Sequence, residues 1–180
     1  MKTALITGVS GYLGSHLAKT LNLAGWKVVG VDKRHTDNKY VHLFYPCNVN
    51  NAEALHILFD RVKIDVVFHL AGRIEIGESI KFPTVFYHNN TAGTNTVLDV
   101  MAFWGVDKII YSSTAGVYES KDYPIIESDS VNPMNNPYAG SKYAAELAIR
   151  HSGAKHVIFR YFNLAGADPD LEMGECHQQG

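Results

Sequence analysis

Short apolar runs alternate with segments of helical spacing along most of the chain. That rhythm is the mark of a parallel sheet whose strands are joined by crossover helices. Residues 3–7, 27–31, 41–45, 65–70, 108–112 and 156–160 read as six strands. Leu13, Leu17, Leu21 and Ala24 fall on one face of a helix that stops at Gly25. Asn51 caps a second helix over 52–61, with Leu55, Leu58 and Phe59 turned inward. A loop rich in glycine and charge, 72–83, precedes a long helical segment over about 84–104. An irregular stretch, 118–137, carries Pro124, Pro133 and Pro137 and leads into a helix over 138–151. Its inner face reads as Ala144, Leu147, Ala148 and His151. Six strands in this order predict a doubly wound α/β fold with a parallel sheet ordered 3-2-1-4-5-6 and helices on both faces. Residues 167–180 have almost no apolar patterning and read as irregular.

The first strand runs directly into Gly8-Val9-Ser10-Gly11-Tyr12-Leu13-Gly14. Gly8 allows a sharp turn off the strand, Gly11 lets backbone approach a pyrophosphate, and Gly14 lets the helix pack close to the sheet. The helix start then offers free N–H groups and a partial positive charge to phosphates. Asp32 ends the next strand, where a carboxylate accepts hydrogen bonds from a ribose and repels a 2′-phosphate. These residues together predict a dinucleotide site that prefers NAD. Lys33 and Arg34 follow Asp32 and pull towards NADP, but the acid outweighs them in this reading.

Tyr138 and Lys142 stand four apart, so one helix face presents both. An ammonium beside a phenol stabilises the phenolate and lowers its pKa, which equips Tyr138 as a base towards a sugar hydroxyl. Ser112-Ser113-Thr114 ends the fifth strand, where open parallel sheets bind ligands. A hydroxyl there can relay a proton, although spacing does not choose among the three. Gly72, after His69-Leu70-Ala71, gives a cofactor room, and His69 reads as a hydrogen-bonded structural histidine. Asn90, an amide inside a helical pattern, either bonds strand-end backbone or faces water.

A chain of 180 residues suffices for one domain that buries roughly 70% of its unfolded surface. A net charge of −2 offers no electrostatic case for nucleic acid or an anionic membrane. There is no run of 18 apolar residues, and residues 1–8 are too short in apolar length for a signal peptide. Cys47 and Cys176 form no CxxC pair, which suits a reducing cytoplasm. None of the nine histidines has ligand spacing, and Cys176-His177 is adjacent rather than spaced, so no metal site is expected.

Together the stretches ITGVSGYLGSH, HLAGRIEIGES, YHNNTAGT, YSSTAGVY, NPYAGSKYAAE and RYFNLAGADPDLEMGE resemble the extended short-chain dehydrogenase/reductase family, and within it the UDP-glucose 4-epimerases. The resemblance runs from Met1 to about His177. It implies that Gly8, Gly11 and Gly14 hold the pyrophosphate, with N–H groups from Tyr12 and Leu13, and that Asp32 holds the adenosine ribose. Thr114, Tyr138 and Lys142 are the implied catalytic set. Leu70, Ala71, Gly72, Arg73, Asn90, Ser112 and Tyr161 line the cofactor, with Arg73 where the family carries lysine. Asn48 stands where an acid usually lies beside the adenine. Asn163 faces the diphosphate of a UDP-sugar substrate. The implied reaction is inversion at C4 through a 4-keto sugar, with NAD recycled. A 4,6-dehydratase needs an acid and base after Thr114, where Ala115-Gly116 stand instead.

The resemblance also implies a dinucleotide-binding domain over 1–166 and, in 167–180, the start of a substrate domain. The family continues for roughly as long again, which leaves a truncated product, a fragment, or a half completed by a second chain. The expectation is a chain that binds NAD with little or no epimerase activity. The alternative is a non-catalytic NAD-binding module. A homodimer through a helix-bundle face is a further expectation.

Overall fold

The computed structural model describes residues 1–174; Cys176 and His177 lie outside them. Six strands form one parallel sheet: β1 (Thr3–Thr7), β2 (Lys27–Asp32), β3 (Leu43–Pro46), β4 (Val66–His69), β5 (Lys108–Thr114) and β6 (Lys155–Tyr161). The order β3-β2-β1-β4-β5-β6 is the expected one, reversing direction of growth at β1 and β4. Pro46 ends the edge strand β3, where its missing N–H breaks no ladder.

Alternation in the central strands builds two layers. Leu5, Val29 and Val67 point to the face covered by α2 (Ala52–Arg61), α5 (Gly93–Phe103) and α6 (Pro137–His151). Ile6 and Val28 point to the opposite face and pack on Ala18, Leu17 and Leu21 of α1 (Tyr12–Leu23). Side chains therefore fill both faces of β1, which is why all five of its residues are buried. The Asn51 side chain caps α2 by accepting from Ala54 N at 3.0 Å, as its position predicts.

The structure corrects several details. The loop expected over 72–83 contains α3 (Ile76–Lys81), followed by α4 (Pro83–Phe86) and one π-helical stretch, Tyr87–Ala92, that leads into α5. Neither α3 nor α4 has a side-chain N-cap, but Pro83 opens α4 at the position where a proline suits a helix start. β5 runs two residues past Ser112, so Ser113 and Thr114 pair with β6 opposite Arg160 and Tyr161. The inner face of α6 is not the apolar one expected: Leu147 and His151 are exposed, whereas Lys142, Ala145, Glu146 and Ile149 are buried. Polar groups occupy that face because β5 supplies their partners.

The irregular end is held to α1 by polar contacts. Tyr12 Oη donates to Gly166 O at 2.6 Å. The buried Lys19 ammonium bonds Asp168 (2.8 Å), Asp170 (2.6 Å) and Glu172 (3.2 Å). Those three acids cluster closely enough to suggest a cation site, but Lys19 already supplies the positive charge among them. Among the described residues, no helix is long and apolar enough to cross a membrane.

Candidate active site

The predicted site residues converge at the carboxyl ends of β1, β2, β4 and β5. Gly8 turns with φ +74, and its N–H donates to Val31 O at 2.8 Å. A Cβ on Gly8 would lie 2.8 Å from Ala71 N, so the glycine loop touches the segment after β4. A Cβ on Gly14 would overlap the Gly8 carbonyl and lie 2.8 Å from Val9 Cα, which fixes how closely α1 approaches. Gly11 is the N-cap of α1; among the described residues no side chain caps the helix, and its first turn holds no acid. The N–H groups of Tyr12 and Leu13 are thus unclaimed by side chains, as an anion site requires.

Asp32 is steadied from both sides. Its Oδ2 accepts from Ser10 N at 3.1 Å and its Oδ1 from Arg34 N at 3.0 Å. Each oxygen keeps a lone pair for a diol. Exposed Asn48 uses its Oδ1 to accept from Asn50 N at 3.0 Å.

Behind the glycine loop runs a buried hydrogen-bond chain. Thr94 Oγ1 donates its one proton to Asn90 O at 2.6 Å, so it must accept from His69 Nε2 at 3.0 Å. His69 Nδ1 then accepts from Thr7 Oγ1 at 2.7 Å, and Thr7 Oγ1 accepts from Ala71 N at 3.2 Å. His69 is the structural histidine expected, fixed in one neutral tautomer. Burial, aided by the Lys142 charge, pulls its pKa down to about 3. Asn90 closes the same region: its Oδ1 accepts from Arg73 N at 2.8 Å, and its Nδ2 donates to Arg73 O at 3.1 Å and Ser141 Oγ at 2.9 Å. It lies on the π-helical stretch, a deviation that often marks functional sites. The Arg73 guanidinium turns to Glu78, 2.8 Å away, so its backbone faces the site rather than its charge.

The face of α6 completes the constellation. Asn136 caps the helix by accepting from Ala139 N at 2.8 Å, fixing where Tyr138 starts. Lys142 Nζ donates to Ser112 O and lies 4.7 Å from the centre of the Tyr111 ring. A Cβ on Gly72 would lie 3.2 Å from both Lys142 Nζ and Asn90 Oδ1, so the amine borders the groove. Burial lowers the Lys142 pKa to about 8, and the Glu146 charge opposes that fall. Tyr138 departs from expectation: its pKa is raised by burial, and a hydrogen bond with Thr114 offsets part of the rise. The Lys142 ammonium does not counter that rise, since it is directed at the Ser112 carbonyl. Tyr161 pairs with Thr114 across the β5–β6 ladder, and Asn163 is exposed just beyond β6.

Residues 4–177 match the description NAD dependent epimerase/dehydratase family. The chain belongs to that family. Its epimerase/dehydratase relatives include UDP-glucose 4-epimerase of Lacticaseibacillus casei, 39% identical over 97% of this chain and 55% of that protein. The crystal structure of UDP-glucose 4-epimerase from Brucella ovis in complex with NAD superposes with a TM-score of 0.92 at 31% identity, covering 98% of this chain and 57% of that one. The Bifidobacterium longum UDP-glucose 4-epimerase, in complex with NAD+ and UDP, gives 0.91 at 31% identity over 97% and 57%. This epimerase/dehydratase chain therefore spans about half the length of the curated relatives it matches.

Sequence reasoning missed Glu146 and Arg160, and it named Ser113 only as one of three strand-end hydroxyls. Glu146 Oε1 accepts from Ser113 Oγ at 2.5 Å and Arg160 Nε at 3.0 Å; Oε2 accepts from Arg160 Nη2 at 2.7 Å. The signal was present as a third step in the spacing of Tyr138 and Lys142 along α6.

Proposed function

We propose that this chain binds NAD in the glycine-lined groove and serves 4-epimerisation of a UDP-hexose through a 4-keto sugar, the chemistry of UDP-glucose and UDP-galactose interconversion. The observation that carries the reading is the joining of two motifs far apart in sequence. The Lys142 amine borders Gly72, whose loop touches Gly8, while Tyr138 faces Thr114.

The residues fit the dinucleotide. Uncapped N–H groups of α1 suit a pyrophosphate, and the braced Asp32 carboxylate suits a ribose diol. In this reading Gly8, Gly11, Gly14, Leu70, Ala71 and Gly72 line the groove, with Asn48 assigned to the adenine end and Tyr161 to the nicotinamide end. NAD, when bound, supplies the acceptor and then the donor of the C4 hydride. Tyr138 takes the O4 proton and returns it, with the Thr114 hydroxyl as relay. Lys142 contributes a positive charge beside the phenol and a donor for a ribose hydroxyl. Asn163, exposed just beyond β6, is assigned to the substrate diphosphate. Thus the chain orients the sugar and moves one proton, while the redox step is the dinucleotide's own. A cytoplasmic location and a homodimer through helical faces belong to the same reading.

The test is Tyr138→Phe, assayed by interconversion of UDP-galactose and UDP-glucose in parallel with NAD binding. The reading expects turnover lost and binding kept. Measurable turnover in the parent that the Phe variant matches overturns it.

A further inference from the structure

Helix α6 meets the end of β5 through three successive contacts, one per turn. Tyr138 faces Thr114, Lys142 bonds Ser112 O, and Glu146 bonds Ser113 Oγ. The first two belong to the proposed site. The third is a fully buried carboxylate that the proposed chemistry does not use. Its ligation is nearly complete: Ser113 and both arms of the Arg160 guanidinium fill its oxygens, with Arg150 farther off at 3.9 Å. Arg160 is itself held over the Tyr118 ring, 4.7 Å from its centre. Glu146 thereby ties α6 to β5 and β6 together.

We propose that Glu146 is a positioning residue for the Tyr138–Lys142 pair: it sets the register of α6 on the end of β5 through Ser113, and it supplies the negative charge that faces the Lys142 ammonium. The inference deepens the reading of the site as an NAD-dependent one and rests on it. Ser113 lies between the two residues that Lys142 and Tyr138 use, so moving it moves both partners. The groups around the Lys142 amine come from every neighbouring element. The Glu146 charge acts on it from α6, the Tyr111 ring lies under it from β5, and neutral His69 feels its charge from β4. Arg160 reaches from β6 to Glu146. Glu146 is the one anion in this set, and burial opposes the ammonium. Without that charge the amine loses its proton at lower pH.

The experiment follows the Lys142 side-chain amine by NMR titration of lysine-labelled, ligand-free protein, with NAD binding measured at pH 6 and pH 8. In the parent chain the amine is expected to titrate near pH 8. Glu146→Gln is expected to lower that midpoint by about 1 unit or more and to weaken NAD binding at pH 8 far more than at pH 6. Ser113→Ala, which keeps the charge, is expected to leave the midpoint in place and to weaken binding equally at both pH values. Should the Gln variant lose its fold through an unpaired Arg160, the neutral pair Glu146→Gln with Arg160→Gln is expected to shift the midpoint in the same direction but by less, because the Arg160 charge that opposes the ammonium goes with it. An unchanged Lys142 midpoint in a folded variant lacking the Glu146 charge overturns the proposal. A chain that takes up no NAD at either pH overturns the reading of the site instead, while the ligand-free titration still decides the role of Glu146.

Discussion

Tyr138 and Lys142 stand one turn apart on α6, and each engages a different residue of one strand end: the phenol faces Thr114, while the amine donates to the Ser112 carbonyl. Their relative placement is therefore fixed by β5 as much as by their own helix. Tyr138→Phe keeps the aromatic packing against Phe86 and removes the hydroxyl proposed to take the O4 proton. Epimerase turnover is expected to fall by at least about 100-fold, with the NAD dissociation constant within about twofold of the parent's. Steady-state kinetics and a fluorescence titration check the pair.

Two glycines separate folding from function. Gly14→Ala drives a Cβ against fixed backbone of Gly8 and Val9. A loss of about 2 kcal/mol or more is expected, read from urea unfolding. Gly72→Ala meets only side-chain atoms, Asn90 Oδ1 and Lys142 Nζ, each at 3.2 Å. It is expected to stay folded, within about 1 kcal/mol of the parent, and to bind NAD more weakly because the amine must shift.

His69 makes stability sensitive to acid. Its folded pKa of about 3 lies below the ordinary 6.5. Between those values the unfolded chain binds a proton that the folded chain refuses. Stability contributed by this group thus falls as pH drops below 6.5, by about 1.4 kcal/mol per unit once the titration is under way. Urea midpoints between pH 7 and 5 read that slope, above the range where carboxylates such as Glu172, held down to about 2, take over. His69→Gln is expected to be less stable at pH 7 and to show a flatter profile.

Lys19 is the clasp of the polypeptide end. Lys19→Met leaves Asp168, Asp170 and Glu172 facing one another without their shared cation. Faster hydrogen exchange is expected at the amides of Asp168 and Leu171, whose bonds to Met173 O and Asp168 O shape the turn. Amides of β1 are expected to keep their protection.

The glycine spacing, Asp32 and the Tyr138–Lys142 step were legible because each is local: strand, turn and helix follow one another within a few residues. The strand order was legible because β1, β2 and β4 are apolar on both faces. What escaped was buried and polar. The inner face of α6 holds Lys142 and Glu146, so apolar spacing selected the wrong side, Leu147 and His151, instead of Ala145 and Ile149. Arg160 lies 14 residues from Glu146, and Asp168 lies 149 from Lys19. Pairings of that range leave no periodic trace. The raised Tyr138 pKa escaped for a related reason, since desolvation depends on packing that spacing alone does not report.

The direct test of the central claim is calorimetric titration of the purified chain with NAD, beside Asp32→Ala. The account predicts one dinucleotide per chain with a dissociation constant at or below about 100 μM, near −5.5 kcal/mol. It also predicts at least a roughly tenfold loss in the variant, which gives up the charge-assisted hydrogen bonds to the ribose. Absence of uptake at millimolar NAD, or NADP bound in preference by the parent chain, would contradict it.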